Sequence, residues 1–247
     1  MKGLNTDNRT GTFMEVKILE INDLSIRFIL RGMPIPIANS LRRIMIAEVP
    51  TMAIEDVFMI ENSSPMDDEV LAHRLGLIPL KTDLDTYVLP EECDCKSELG
   101  CSRCSVLLTL DVEASNSVRT VYSGELKSSD PKVIPVSDKI PVVKLAPGQR
   151  VQLEASAKLG RGKTHAKWQP VSACAYKYLP DQSTDRVVWV KDAVEFFVES
   201  TGALKPERIV VEAIKILRNK TDELIKQTFV KEKKRKAKKG KKRKAKK

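Results

Sequence analysis

Residues 36–80 read PIANSLRRIMIAEVPTMAIEDVFMIENSSPMDDEVLAHRLGLIPL, and their periodicity decides the fold. Ile37, Leu41, Ile44 and Met45 recur at the spacing of one helical stripe. Ile46 and Val49 lie round the back, leaving Asn39, Ser40, Arg42 and Arg43 as a narrow polar strip. A helix apolar on so many sides has to be covered on more than one of them. The cover is either the chain's own sheet, which makes 36–48 a central core helix, or a second chain, which makes it a subunit interface. Pro36 suits the first turn and Pro50 ends the helix.

On the upstream side, Glu15 to Gly32 reads as a hairpin turning at Asn22–Asp23, with Leu24, Ile26, Phe28 and Leu30 alternating with polar neighbours. Residues 1–13 are small and polar and are expected to be disordered. Downstream, Thr51 to Ile60 is a strand, and Asp67, Asp68 and Glu69 open a second helix with acid in its first turn. Val106 to Val112 alternates as a strand. Residues 113–180 are broken by Pro131, Pro135, Pro141, Pro147 and Pro170, which suits a small β-rich unit. Val187–Val190 and Val194–Val198 return to strand. A helix from Pro206 to about Phe229 then carries Val210, Ile214, Leu217, Leu224, Ile225 and Phe229 on one side. At 1.5 Å per residue such a helix is about 36 Å long. Its far apolar positions want a partner, and with helix 36–48 it suggests a helical dimer face. The pattern lasts too few heptads, without ordered flanking charges, for a coiled coil.

The charge has to be divided. The chain has 43 basic and 33 acidic residues, a net of +10. Residues 231–247, KEKKRKAKKGKKRKAKK, hold 13 of the basic and 1 of the acidic, leaving 30 and 32 for residues 1–230, a net of −2. The body therefore lacks the electrostatic footprint of a DNA-binding domain. The basic segment repeats KKRKAKK around Gly240, with Lys233, Lys234, Arg235, Lys241, Lys242 and Arg243 as candidate polyanion contacts. A solvated extension and a targeting signal are the alternatives. No run of 18 apolar residues and no apolar leader occur, so the reading is of a soluble, cytoplasmic chain without membrane contact.

Cys93, Cys95, Cys101 and Cys104 lie in CDCKSELGCSRC. Thiolates this dense in an intracellular chain point to metal rather than disulfides. Four soft sulfurs favour tetrahedral structural zinc, with an Fe–S cluster or an empty or oxidised loop as alternatives. Gly100 frees the backbone before the second pair, and Cys174 reads as an ordinary buried thiol. Ala157 to Thr164, AKLGRGKT, imitates a phosphate-binding loop. Such a loop must open an apolar-faced helix, and here THAKWQP follows. His73 and His165 have no nucleophile beside them in sequence. No residue is assigned a catalytic role.

The strings ANSLRRIMIAEVPTMAI at 38–54, DEVLAHRLGLIPL at 68–80, YSGELKSSDP at 122–131 and LGRGKTHAKWQP at 159–170 resemble the D-type subunit family of archaeal DNA-directed RNA polymerase. That family is the counterpart of the third-largest subunit of eukaryotic polymerase II and is more distantly similar to the N-terminal region of the bacterial alpha subunit. The resemblance spans roughly residues 14–229. It implies an α+β fold in which a discontinuous dimerisation domain, a sheet plus two long helices from 14–49 and 187–230, surrounds an inserted β-rich domain, 50–186, carrying the four-Cys loop, with 231–247 as a disordered basic tail. It implies a non-catalytic scaffold of a nucleotidyltransferase complex. Helices 36–48 and 206–229 would dimerise with a small L-type partner through Ile37, Leu41, Ile44, Met45, Val210, Ile214, Leu217, Leu224 and Phe229. Asn39, Arg42 and Arg43 would meet the second-largest, B-type subunit, with small N-type and P-type subunits as neighbours and DNA reached through the complex. Some members carry an Fe–S domain after the region of Tyr178. Here YKYLP runs almost directly to RVVWV, so that cluster is not expected. The rival reading is a free-standing nucleic-acid-binding protein that uses the lysine-rich tail and zinc loop.

Overall fold

A computed structural model describes residues 14–95, 97, 100–180 and 188–244, with side chains as far as residue 228. The disorder expected for residues 1–13 lies outside the described residues. A hairpin of β1 (Glu15–Ile21) and β2 (Ser25–Arg31) opens the fold. Its turn closes because the Asn22 side-chain oxygen accepts the Leu24 and Ser25 amide N–H groups at 3.0 and 2.7 Å. Helix α1 (Ile35–Ala47) follows, with proline in its first turn, and then the long strand β3 (Pro50–Asn62) and helix α2 (Asp68–Gly76). Strands β4 (Ser105–Glu113), β5 (Arg119–Tyr122), β6 (Lys127–Ser128), β7 (Pro141–Leu145), β8 (Arg150–Arg161), β9 (Val171–Pro180) and β10 (Trp189–Ser200) precede the last helix, α3 (Pro206–Lys244).

The strands sort into two antiparallel sheets of four, in the orders β1-β2-β10-β9 and β3-β8-β4-β6, with β5 and β7 as a separate pair. In the first sheet Ile26, Phe28 and Leu30 alternate inward from β2, and Val194, Phe196 and Val198 do so from β10. They form one core with Ala38, Leu41, Ile44 and Met45 of α1 and Ile209 and Ala213 of α3. Phe28 stacks on Phe196 at 5.2 Å between ring centroids. The second sheet has its own core beneath Leu71 and Leu75 of α2, with Leu108, Leu110, Leu145 and Leu153 fully enclosed. The chain is mixed α+β, with a β-rich unit set into the first domain.

Strand β9 pairs with β10 along most of its length, so Val171–Pro180 lies in the first sheet, although the sequence reading carried the insert on to residue 186. Only a partner strand fixes the sheet to which a short apolar strand belongs, and that partner is remote in sequence. The two strands read at 187–190 and 194–198 are one strand, β10, kinked at Asp192, whose φ of 52° places it in the left-handed region. Helix α3 does not end near Phe229. It is one helix of 39 residues to Lys244, entering the segment read as a disordered tail. Lys, Arg and Ala are strong helix formers, so backbone preference carries the helix on.

The two domains are tied at several points. Thr82 donates its amide N–H to the Ala203 carbonyl at 2.9 Å, and Lys163 donates to the Ala47 carbonyl at 2.8 Å. Arg208 of α3 pairs with Asp85 at 2.6 Å, and within the second unit the Thr51 hydroxyl donates to the Trp168 carbonyl at 2.9 Å.

Candidate metal centre and subunit-contact face

The four cysteines lie between the short 3-10 turn Pro90–Glu92 and the start of β4. Arg161, at the end of β8, pairs with both Glu91 and Glu92 and holds that turn against the sheet. The Val88 amide N–H donates to the Arg103 carbonyl at 3.0 Å, closing the loop across its base. Gly100 has a φ of +87°, and a Cβ there would lie 2.7 Å from the Ser105 hydroxyl oxygen, so the turn before the second cysteine pair needs glycine.

The Sγ atoms of Cys93 and Cys101, of Cys95 and Cys104, and of Cys101 and Cys104 are each 3.7 Å apart. All four sulfurs lie within 4.8 Å of one another. A tetrahedron around an ion with metal–sulfur bonds of about 2.3 Å has edges of about 3.8 Å, so the set is sized for one tetrahedral ion. Backbone amides support the sulfurs: Cys101 donates to Cys104 Sγ at 3.2 Å and Arg103 donates to Cys101 Sγ at 3.4 Å. The Arg103 N–H draws the Cys101 thiol down to about 7, while burial pushes Cys104 up to about 12. These four cysteines can hold a metal ion. With all four positions filled by protein, such a site clips the loop and leaves no open position for chemistry.

The contact residues read from the sequence divide. Leu41, Ile44 and Met45 are buried in the chain's own core beneath α1, so they have no surface to offer a partner. A helical stripe shows that a face is covered, not by what. Ile37 is exposed, as are Ile214, half exposed at 50%, and Leu224 at 65%. Val210 and Leu217 are half-buried against the core. The Phe229 side chain and those of Lys233, Lys234, Arg235, Lys241, Lys242 and Arg243 lie outside the described residues. Arg42 donates from Nε and Nη2 to the Asn39 side-chain oxygen at 3.3 and 3.2 Å, which fixes its direction, and Arg43 is exposed beside it.

Sequence reasoning missed the part of this face that β1 supplies. Val16, Ile18 and Ile21 stand opposite Leu30, Phe28 and Ile26, so they share the sheet face that the helices cover. Helix α3 lies over β2 and β10, and α1 over β9 and β10. Among the described residues β1 therefore has no helix over it, and Ile18 is 57% exposed. The run VKILEI carries the signal, since Val16, Ile18 and Ile21 are apolar on an edge strand. On α3, Val211, Ile214, Leu224 and Ile225 are likewise exposed.

The phosphate-loop look-alike is explained by packing. Gly160 is inside β8, and a Cβ there would lie 2.3 Å from the Trp168 indole. At Gly162 it would lie 2.5 Å from the Ile46 carbonyl oxygen of α1. A three-residue 3-10 turn follows instead of a helix. His165 is exposed and accepts the Lys167 amide N–H at 3.1 Å, His73 is exposed on α2, and Cys174 is half-buried with its thiol pushed up to about 12 by burial.

Residues 53–175 match the family model described as the RNA polymerase Rpb3/RpoA insert domain. A DNA-directed RNA polymerase subunit Rpo3 from Methanosphaera stadtmanae is 46% identical over 80% of this chain and 74% of its own length. The subunits of that name from Archaeoglobus fulgidus and Pyrococcus furiosus are each 39% identical, over 86% and 87% of this chain respectively and 97% of their own lengths. With relatives matched over nearly their whole length, the chain belongs to the Rpo3 family of DNA-directed RNA polymerase subunits.

Proposed function

We propose that this chain is the assembly subunit on which a DNA-directed RNA polymerase is built, and that the open face of β1 and α3 docks a smaller partner of the L type. One observation carries the reading: in a chain of this family, Val16, Ile18 and Ile21 of β1 and Ile214, Leu224 and Ile225 of α3 are apolar side chains left half exposed or more among the described residues. Burying a half-exposed Ile or Leu gains about 1 kcal/mol, so six gain on the order of 6 kcal/mol before the costs of association. The nucleotidyl transfer belongs to the complex, and this chain supplies no catalytic residue to it. A free-standing nucleic-acid binder is not supported by the family.

On this reading Asn39, Arg42 and Arg43 meet the second-largest, B-type subunit, and small N-type and P-type subunits are neighbours. The four-Cys site takes zinc, held by Cys93, Cys95, Cys101 and Cys104, which would stiffen the loop as a cross-link does. The spacing of the sulfurs favours a single ion over a multi-iron cluster, which would set metals and sulfides between the thiolates. The basic segment contacts a polyanion. No helix among the described residues is long and apolar enough to cross a membrane.

Co-expression with an L-type partner tests the docking. A stable heterodimer is expected, and Ile214→Asp with Leu224→Asp should abolish it without lowering the melting temperature of this chain alone. A heterodimer unaffected by those changes and by Ile18→Asp would overturn the assignment of the face.

A further inference from the structure

The basic segment at the end of α3 lies beyond the side chains assigned to the docking face. The ion pair of Lys220 with Glu48 fastens α3 to the end of α1, and residues 221–228 are exposed on every side. The helix nevertheless continues to Lys244. From Thr221 onward that is an overhang of about 36 Å at 1.5 Å per residue. The rod leaves a body of net charge −2 and carries a segment of net charge +12.

Inside that segment two preferences conflict. Its Lys, Arg and Ala content favours helix. Like charges stand four residues apart at 231/235, 234/238, 235/239, 238/242 and 239/243, each pair opposing the helix by a few tenths of a kcal/mol. An external row of negative charge removes the opposition and leaves the backbone preference in force. Residues 231–247 contain only Lys, Arg, Glu, Ala and Gly. They have no aromatic ring to stack on unpaired bases and no amide side chain to read an adenine edge. This chemistry suits regularly spaced phosphates of a duplex better than single strands. The family acts in an enzyme directed by DNA, and an arm tethered to it meets that duplex at high effective concentration.

We propose that the basic end of α3, residues 231–244, is an arm that lies along the phosphates of duplex DNA beyond the body of the subunit, binding without regard to sequence. The inference rests on the reading of the segment as a polyanion contact and names the polyanion. The test compares polymerase assembled with the parent chain and polymerase assembled with the sixfold variant Lys233→Gln, Lys234→Gln, Arg235→Gln, Lys241→Gln, Lys242→Gln and Arg243→Gln. Glutamine keeps helix propensity and removes charge. Binding to a promoter-free DNA duplex is measured across a salt series. Each phosphate contact contributes about 0.9 to the slope of log affinity against log salt, so a loss of about four contacts should flatten the slope by about 3.6. Affinity at low salt should fall at least tenfold. Slopes that agree within one unit, or a larger loss for single-stranded RNA than for the duplex, overturn the inference. Elution from heparin separates the two levels. If the variant leaves heparin at the parent's salt concentration, the polyanion reading itself fails. If it leaves earlier while the DNA slope is unchanged, only the assignment to duplex DNA fails.

Discussion

Gly160→Ala discriminates sharply between the structural and the nucleotide-binding readings of LGRGKT. Gly160 is paired with Thr51 across β3 and β8. An added Cβ would lie 2.3, 2.4 and 2.8 Å from Cε2, Cδ2 and Cζ2 of Trp168. Carbon atoms approach comfortably to about 3.5 Å, so the indole has to retreat by more than about 1 Å. It cannot do so freely. It is buried, its Nε1–H donates to the Lys158 carbonyl at 3.1 Å, and Lys167 Nζ stands 4.5 Å above its ring. Overpacking a filled site costs about 1–3 kcal/mol and the lost hydrogen bond about 1 kcal/mol more. Glycine in a strand is itself unfavourable by up to about 1 kcal/mol relative to alanine, so backbone preference alone gives the opposite sign. The expected net loss is about 2–3 kcal/mol, or roughly 5–12 °C in melting temperature for a chain of this size. Thermal unfolding followed by circular dichroism measures it. An unchanged or raised melting temperature would refute the packing argument, and a stable variant that had lost nucleotide binding would restore the phosphate-loop reading.

The other predictions are shorter. Cys95→Ser alters an exposed ligand with no core packing to disturb. Elemental analysis should show one zinc per parent chain and none in the variant, with chelator lowering the parent's melting temperature to the variant's. Iron with visible absorption would instead assign the site to another metal. Asp83 is held well below the usual carboxylate range, first by Lys132 at 2.7 Å and then by the Thr86 hydroxyl. A depressed folded-state value means that the stabilisation is complete above the unfolded carboxylate's pKa of about 3.9 and is lost as pH falls below it. Asp83→Asn should therefore lower stability at neutral pH and make the acid limb of the stability curve shallower. A parallel loss at pH 3 and pH 7 would show that Asp83 acts by shape and not by charge.

The four-cysteine cluster was the most legible part of the chain. Its ligands are local, all within residues 93–104, and short spacing with a flexible Gly100 limits what the loop can do. The hairpin, α1 and the opening of α2 were equally readable, because an Asn turn, a proline in the first turn and acid at a helix start act within a few residues of themselves. The exposed apolar side chains were only half legible. Leu41, Ile44 and Met45 looked available because an apolar stripe carries no label for its partner, and the structure commits them to Phe28 and Phe196 of the same core. Val16, Ile18 and Ile21 went unnoticed because their exposure depends on where α3 stops short of the sheet edge.

Sequence alone determined the chemistry of this protein: four thiolates in one loop, a charge of +12 gathered in seventeen residues, and strands and helices whose periods are set by their own backbones. Tertiary structure decided allegiance. It assigned β9 to the first sheet through hydrogen bonds to β10, turned the glycines of LGRGKT into seats for Trp168 and α1, and left β1 open beside α3. The physical reason is range. Dihedral preference, charge density and ligand spacing act between near neighbours in the chain. Which apolar surfaces are covered, and which stay exposed, is settled by contacts between elements distant in the chain, as β2 with β10.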